Sequence, residues 1–197
     1  MKNNIPFSLK DTSRGIESIP LVTELYSDRK VFLTDTIDEE NVTSVLMQLM
    51  WLEKQDAAAP VTMFINSPGG SVRDGLALYE YIRGMKTPVT AVCYGTTASM
   101  GSIIYLAADD RQIFRYGEIM IHDPMQYSGK NYEKPAELSE RLDGLLKTRD
   151  MLTSIIAERT GHDTETILNY TAKDSFFDAE SAIEFGLAHK IYNANIN

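Results

Sequence analysis

The chain has little of what disulfide-bonded, metal-binding and membrane-spanning proteins are built from. Its 197 residues include one cysteine and three histidines, and 28 acidic residues outnumber 19 basic ones. A single cysteine excludes an internal disulfide, and the scattered histidines lack the spacing of a metal site. The formal charge of -9 argues against nucleic acid or an anionic membrane as a partner. No apolar run reaches membrane-spanning length and no signal-peptide core is present, so we expect a cytoplasmic protein. We also expect no cofactor.

Strand-like and helix-like stretches alternate along the chain, whose length suits one domain. Strands are predicted for residues 30–34, 61–65, 112–115, 118–121 and 187–192, and helices for residues 38–52, 72–82, 133–159, 163–170 and 179–185. This alternation predicts an α/β fold with a parallel sheet and right-handed crossovers. Functional groups in such sheets gather at the carboxyl ends of the strands. Residues 1–28 are poorly patterned, and their apolar cluster at 5–9 fits either a frayed terminus or an interaction loop.

The predicted helix at residues 133–159 is unusually long. At 1.5 Å per residue it would run about 40 Å, which exceeds what the core of a small domain can cover. We therefore expect it to project and to place its leucine stripe against another subunit. The alternative is a bent helix that folds back on its own sheet.

The stretch 89–106 predicts a strand, a tight turn and a helix, with Ser99 at the turn. The first N–H groups of a helix have no intrahelical acceptor, so they could receive an oxyanion formed when Ser99 attacks a carbonyl. Gly95, Ala98 and Gly101 would leave room for a substrate. The alternative is a serine that only caps the helix. Cys93 has no basic neighbour in sequence, so we interpret it as a core residue and not as a nucleophile.

Three other positions could supply the remaining groups of a nucleophilic site. Gly69 and Gly70 follow a predicted strand, where bare backbone N–H groups can approach a bound group. His122 also ends a predicted strand, and an imidazole titrates near pH 6.5, which suits a general base. Asp174 precedes two phenylalanines that we expect to be buried, and it could pair with His122. The alternatives are an ordinary βα turn for the glycines, a structural or surface role for the histidine, and a plain turn aspartate.

Four segments together resemble one family, the proteolytic subunit of the Clp protease (ClpP). They are residues 64–72 (FINSPGGSV), residues 98–101 (ASMG), residues 119–122 (IMIH) with Pro124, and residues 173–187, which begin KDSF and end EFGL. Residues 14–15 and 148–150 also fall where that family has similar residues. The resemblance runs in order over nearly the whole chain, and the set is far more specific than any one segment.

The resemblance implies a crotonase-like fold of repeated β-β-α units with a projecting handle helix, and a serine peptidase. Ser99 would be the nucleophile, His122 the general base and Asp174 the residue that orients the imidazole. Gly70 and Met100 would supply the oxyanion-hole N–H groups. Residues 1–28 would be an N-terminal segment and a candidate axial loop, and residues 29–197 one peptidase domain with its handle at about 123–159.

The resemblance also implies partners. Unfolded polypeptide would bind as an extended strand near residues 124–129, which include Pro124 and Met125, and near Gly69, Ser71 and Val72. Two stacked seven-subunit rings would form, homomeric or mixed with a second ClpP-type subunit. A ring-shaped AAA+ unfoldase would supply the substrate, and ATP would not bind this chain.

Several positions depart from the family pattern. Asp123 stands where the family usually has glutamine. Lys173 stands where the family usually has arginine, and a lysine lacks the planar guanidinium group. Residues 125–130 replace a glycine-rich stretch. Thr62, Gly84 and Gln112 replace aromatic residues of the surface that receives the unfoldase, so we expect weaker or altered docking. These departures leave open a second hypothesis, a ring subunit with little activity of its own. A third hypothesis is a crotonase-fold enzyme that acts on acyl-CoA.

Overall fold

The computed structural model describes residues 6–126, 129, 132 and 134–193. Within these ranges the chain forms nine strands and seven helices. The strands are β1 (Phe7–Thr12), β2 (Gly15–Pro20), β3 (Lys30–Thr34), β4 (Val61–Ser67), β5 (Val89–Ala98), β6 (Asp110–Ile113), β7 (Glu118–Ile121), β8 (Ser175–Phe177) and β9 (Lys190–Ile191). The helices are α1 (Leu21–Ser27), α2 (Glu39–Gln55), α3 (Val72–Gly84), α4 (Met100–Leu106), α5 (Pro135–Thr160), α6 (Thr164–Thr171) and α7 (Ala179–Glu184). Residues 127, 128, 130, 131 and 133 of the predicted substrate and handle stretches lie outside the described residues, as does Ile5 of the N-terminal apolar cluster.

The central sheet is mostly parallel, which confirms the α/β class. Strands β3, β4, β5, β6 and β9 are neighbours in that order, and all four pairings are parallel. Strand β5 is long enough to serve two partners: residues 90–93 pair with β6, and residues 96–98 pair with β7. Strand β8 then pairs with β7 in antiparallel fashion. Because β5 and β7 are parallel, their carboxyl ends lie at the same edge of the sheet.

The helices bury the faces that the sequence spacing predicts. In α2 the buried side chains are Val42, Val45, Leu49 and Leu52. The carboxylate of Asp38 accepts a hydrogen bond from the N–H of the third helical residue at 2.9 Å, so Asp38 caps the helix. Helix α4 is buried along its whole length, so the turn before it is fixed by the core.

Two arginines tie the ends of three helices together. The buried Arg111 donates hydrogen bonds to the carbonyl oxygens of Gly186, Leu187 and Arg159 at 2.8–3.1 Å. Arg159 in turn donates to Leu106 O at 2.7 Å. Carbonyl groups at helix ends lack intrahelical donors and favour a cation. Burial, and then the nearby Arg159, lower the pKa of Arg111.

Helix α5 has two unlike halves. In the first half Leu138 and Leu142 are 50% and 52% exposed, whereas Leu152 and Ile156 in the second half are buried. The projecting helix is therefore confirmed, and the alternative of a bent helix that folds back on its own sheet is wrong. Gly161 ends the helix in the left-handed conformation. No helix in the described ranges combines the length and the apolar character needed to cross a membrane.

The N-terminal segment is more regular than its sequence suggests. Strands β1 and β2 form a hairpin, and α1 follows it, so a frayed terminus is wrong for residues 7–9 of the apolar cluster. The hairpin presents Phe7, Leu9 and Ile16 to solvent, each more than 60% exposed. Its apolar residues do not mark a buried face, so the alternation rule gives no signal there.

Other differences concern strand ends and one side chain. Strand β6 begins at Asp110, two residues earlier than predicted, and β9 contains only Lys190–Ile191 of the predicted 187–192. Ala188 donates a backbone hydrogen bond to Ala182 O at 3.0 Å, so it belongs to the turn after α7. The expectation that both phenylalanines after Asp174 are buried is wrong. Phe177 is 5% exposed and Phe176 is 59% exposed, because successive strand residues face opposite sides.

Candidate functional site

Ser99 lies between the end of β5 and the start of α4. Its φ of 53° and ψ of -122° lie outside the ordinary regions for a residue with a side chain. Its N–H donates to Met120 O at 2.9 Å, and its carbonyl accepts from the Ser102 hydroxyl at 2.6 Å. The Ser99 side chain makes no cap hydrogen bond, so the interpretation as a simple helix cap is wrong.

His122 follows the last residue of β7 and approaches Ser99 directly. Its Nε2 lies 2.8 Å from Ser99 Oγ, and its side chain is 9% exposed. Residues 96–98 of β5 pair in parallel with residues 118–120 of β7, so the residues that follow both strands emerge together. The predicted pair therefore meets at the edge of the sheet that strand direction indicates.

Asp174 reaches the same place from a different element. It precedes β8, whose first residue Ser175 pairs with Ile121 across the antiparallel ladder. Asp174 Oδ1 lies 3.6 Å from His122 Nδ1, which is longer than a hydrogen bond, and the Asp174 side chain is 63% exposed. The structure thus brings Ser99, His122 and Asp174 together, with one close contact and one open contact.

The Gly69–Gly70 loop packs against the turn at Ser99. A Cβ on Gly69, whose φ is 95°, would lie 2.6 Å from Ser99 Cβ, so only glycine fits there. Gly70 forms a parallel bridge with Ile37, in which the Ile37 N–H donates to Gly69 O and the Ser71 N–H donates to Ile37 O. These two hydrogen bonds leave the Gly70 N–H unused. Gly70 and Met100 border the same cavity as Ser99.

A cavity of about 310 Å³ opens beside Ser99 and His122. Of the predicted substrate-binding residues, Val72, Pro124 and Met125 line it. Gly69 and Ser71 are not among its lining residues: Gly69 lies under Ser99, and the Ser71 hydroxyl accepts from the Asp74 N–H at 3.3 Å, which caps α3.

Sequence reasoning missed part of the cavity wall. Ile103 of α4, and Leu152 and Ile156 of α5, give it apolar sides, while Arg149 and Thr171 add polar groups. The apolar stripe of α5 could have indicated this part of the wall, but we interpreted the whole stripe as a contact with another subunit. The buried half of that stripe covers the cavity instead.

Cys93 and the other two histidines lie away from the cavity wall. Burial raises the pKa of the Cys93 thiol, which keeps it protonated and unreactive, as a core residue should be. His162 Nε2 lies 3.1 Å from Phe185 O, and His189 Nδ1 accepts from the Arg111 N–H at 3.1 Å. In the described part of the chain, no group of three or more His, Cys, Asp or Glu residues is placed to hold a metal ion.

Comparison with known protein families gives a match that spans almost all of these elements. The family model described as Clp protease matches residues 13–195 of the 197 residues. The match includes Ser99, His122 and Asp174 as well as both halves of α5. The sequence resemblance is thereby confirmed, and the chain belongs to the Clp protease family.

Proposed function

We propose that this chain is a serine endopeptidase subunit that hydrolyses peptide bonds of unfolded polypeptides. The observation that carries the proposal is the 2.8 Å approach of His122 Nε2 to Ser99 Oγ, in a chain of the Clp protease family. At that distance the imidazole can take the hydroxyl proton while the oxygen attacks a carbonyl carbon.

The reaction would proceed through an acyl-enzyme. Ser99 Oγ forms a bond to the carbonyl carbon, its proton moves to His122 Nε2, and the carbonyl oxygen becomes an oxyanion. The N–H groups of Gly70 and Met100 would donate to that oxyanion. Collapse breaks the peptide bond, and the leaving amine takes the proton from His122. A water molecule then hydrolyses the ester by the same steps.

Asp174 would orient the imidazole and stabilise its cation. For that role the 3.6 Å separation from His122 Nδ1 must shorten to about 2.8 Å, the length of a charge-assisted hydrogen bond. Contacts of this kind are often long in a free enzyme and tighten when substrate binds. The exposed Asp174 side chain has room for that movement.

The cavity wall supports an extended polypeptide as the substrate. A strand could lie between the Gly70–Val72 side and the Pro124–Met125 side, with one side chain in the cavity. Ile103, Leu152 and Ile156 would contact that side chain. An extended, unfolded chain can lay its backbone along this wall, whereas backbone buried inside a folded protein cannot reach Ser99.

The exposed half of α5 supports assembly with further subunits. Leu138, Leu142 and Leu146 form an apolar stripe on that half, each at least 36% exposed. Residues of this kind need cover from another chain. We propose that the stripe joins two stacked seven-subunit rings, either homomeric or mixed with a second ClpP-type subunit, which enclose the cavity in a chamber.

An aromatic face on the sheet supports docking of an AAA+ unfoldase. Five half-buried rings form this face: Phe32, Phe64, Tyr94, Phe114 and Tyr192, with neighbouring ring centroids 5.0–6.3 Å apart. It retains Phe64 and Tyr94, which are two of the aromatic positions of the family's docking surface. Thr62, Gly84 and Gln112 still argue for weaker docking than in a typical member.

A second candidate is a ring subunit with little activity of its own. The open contact between His122 and Asp174 favours it, because an imidazole without its acid is poorly oriented. Such a subunit would need a typical ClpP-type partner to become active or to act structurally.

Labelling with a fluorophosphonate, read by intact mass, tests the proposal. We expect a single adduct on the parent protein and none on Ser99→Ala, because only an activated serine reacts. Ser154→Ala is the matched control, since Ser154 is an exposed serine of α5. An unlabelled parent that gains the adduct when a typical ClpP-type subunit is added would favour the second candidate. No adduct in either case would contradict the proposal.

A further inference from the structure

Thr171 and Asp123 form a second link between the segments that carry His122 and Asp174. Asp123 follows His122, and Thr171 is the last residue of α6, three residues before Asp174. The Asp123 N–H donates to Thr171 O at 2.7 Å. Both residues line the cavity beside Ser99. The two segments are therefore joined by a backbone hydrogen bond at the site itself.

The side chains of this pair carry two buried polar atoms that lack a partner. Thr171 is 3% exposed, and neither its hydroxyl nor Asp123 Oδ1 makes a hydrogen bond to any described residue. A threonine near a helix end commonly donates to the carbonyl one turn earlier, but Thr171 does not. An ionised carboxylate can only accept and a hydroxyl can donate, so the two unpaired atoms are complementary.

The pair flanks the open contact of the site. On one side of His122 and Asp174, Ile121 pairs with Ser175 in the β7–β8 ladder. On the other side, Asp123 bonds to Thr171. Asp174 thus lies on a short segment that is anchored at both ends, while its own contact with His122 is 3.6 Å long. A change at either anchor shifts Asp174 relative to His122.

We propose that Asp123 and Thr171 are positioning residues for the His122–Asp174 pair. A hydrogen bond from the Thr171 hydroxyl to Asp123 Oδ1 forms as the Asp174 carboxylate closes on His122 Nδ1. Leaving a buried donor or acceptor unpaired is costly, and this one bond satisfies both atoms, so it stabilises the closed arrangement. The proposal rests on the proposed function, because closure matters only if His122 acts as the base.

The test compares second-order rate constants for fluorophosphonate labelling of the full chain. We expect Thr171→Val to lower the rate about 5- to 10-fold, the worth of one hydrogen bond, and Thr171→Ser to restore most of it. Thr87→Val is the matched control, because Thr87 is 2% exposed with an unpaired hydroxyl and does not line the cavity. Its rate should equal that of the parent.

Two further comparisons separate positioning from a general loss of structure. Because the bond acts through Asp174, Thr171→Val should change the rate less than about 2-fold in an Asp174→Ala background. Asp123→Ala should lower the rate as Thr171→Val does, and the double variant should be no slower than either single variant. Asp123→Ala also serves if Thr171→Val fails to fold, which its thermal unfolding midpoint reports.

The outcomes distinguish this inference from the proposed function. A parent protein that is not labelled would overturn the proposed function, and this inference with it. A labelled parent with an unaffected Thr171→Val, or with effects that multiply in the Asp174→Ala background, would overturn the positioning role alone.

Discussion

The Ser99–His122 pair and Asp174 border the same cavity but are held in different ways. Ser99 and His122 follow neighbouring parallel strands and lie 2.8 Å apart, and the His122 side chain is 9% exposed. Asp174 precedes a three-residue antiparallel strand, lies 3.6 Å from His122 and is 63% exposed. The core therefore fixes the proposed nucleophile and base. The position of the acid depends on a surface segment and on what anchors that segment.

The largest expected effect is the loss of kcat when His122 or Asp174 is replaced, which breaks the Ser99–His122 contact or the His122–Asp174 contact. In serine peptidases the loss of the base lowers kcat by about 10⁶, and the loss of the acid by about 10⁴. We expect His122→Gln and Asp174→Asn to follow that order, with the gap widened because the Asp174 contact is open. Rates of peptide hydrolysis by the assembled protein measure both. Equal losses would mean that the acid is as firmly held as the base.

The two halves of α5 extend the comparison from the site to the whole fold. Ile156 is buried against the core, so we expect Ile156→Ala to lower the free energy of unfolding by about 2–5 kcal/mol. Leu142 is 52% exposed, so Leu142→Ala should change it by less than about 0.5 kcal/mol. Urea denaturation of the dissociated subunit measures both values.

A different substitution at Leu142 tests the proposed assembly. If the exposed stripe joins rings, Leu142→Glu should shift the molecular mass in solution toward the single ring, as read by analytical ultracentrifugation. An unchanged mass would place the ring contact elsewhere.

A smaller loss is expected when a side chain is added beside Ser99, and the quantity affected is the free energy of unfolding. Gly69→Ala would place a Cβ against Ser99 in a left-handed backbone conformation, and we expect a loss of about 2–4 kcal/mol of unfolding free energy. Gly144→Ala is the matched control, because nothing lies within 4 Å of a Cβ there, and α5 should gain about 0.5–1 kcal/mol. Denaturation curves report both. A Gly69→Ala protein as stable as the parent would show that the turn at Ser99 can yield.

The smallest effect concerns the helix that follows β8. The Ser181 hydroxyl and N–H donate to Asp178 at 2.6 and 2.9 Å and lower the pKa of its carboxyl group. Because the folded pKa lies below the unfolded value near 4, this cap stabilises α7 above pH 4 and weakens as the pH falls further. Asp178→Asn keeps an acceptor that does not titrate. Its thermal midpoint should therefore fall less steeply than that of the parent between pH 5 and pH 3.

The sequence predicted the core-held side of the site well because strand direction and burial determine it. The β-branched runs that end at Ser99 and near His122 indicate parallel strands, and parallel neighbours bring their carboxyl ends together. The surface-held side was harder to predict. Phe176 and Phe177 are the same residue type side by side in the sequence, and only the strand pairing determines which of them faces the core. Thr171 gives no signal at all, since its importance arises from a backbone contact with Asp123 across 48 residues.

The hairpin of β1 and β2 and the cavity wall on α5 were missed for related reasons. The apolar residues of the hairpin face solvent, so burial does not enforce their periodicity. The stripe of α5 is continuous in sequence, and only the tertiary fold divides it into a half that covers the cavity and a half that projects.

The hydrogen bonds of Arg111 join the middle of the chain to its last forty or so residues, which bears on the order in which the fold can form. Arg111 finds its acceptors on residues 159, 186 and 187, and β6 gains its neighbour β9 only when residues 190–191 are available. Until these residues leave the ribosome, a buried cation lacks its partners and the sheet beside β5 lacks a strand. We therefore expect the Ser99–His122 pair to form late in synthesis, only after residues 186–191 have left the ribosome.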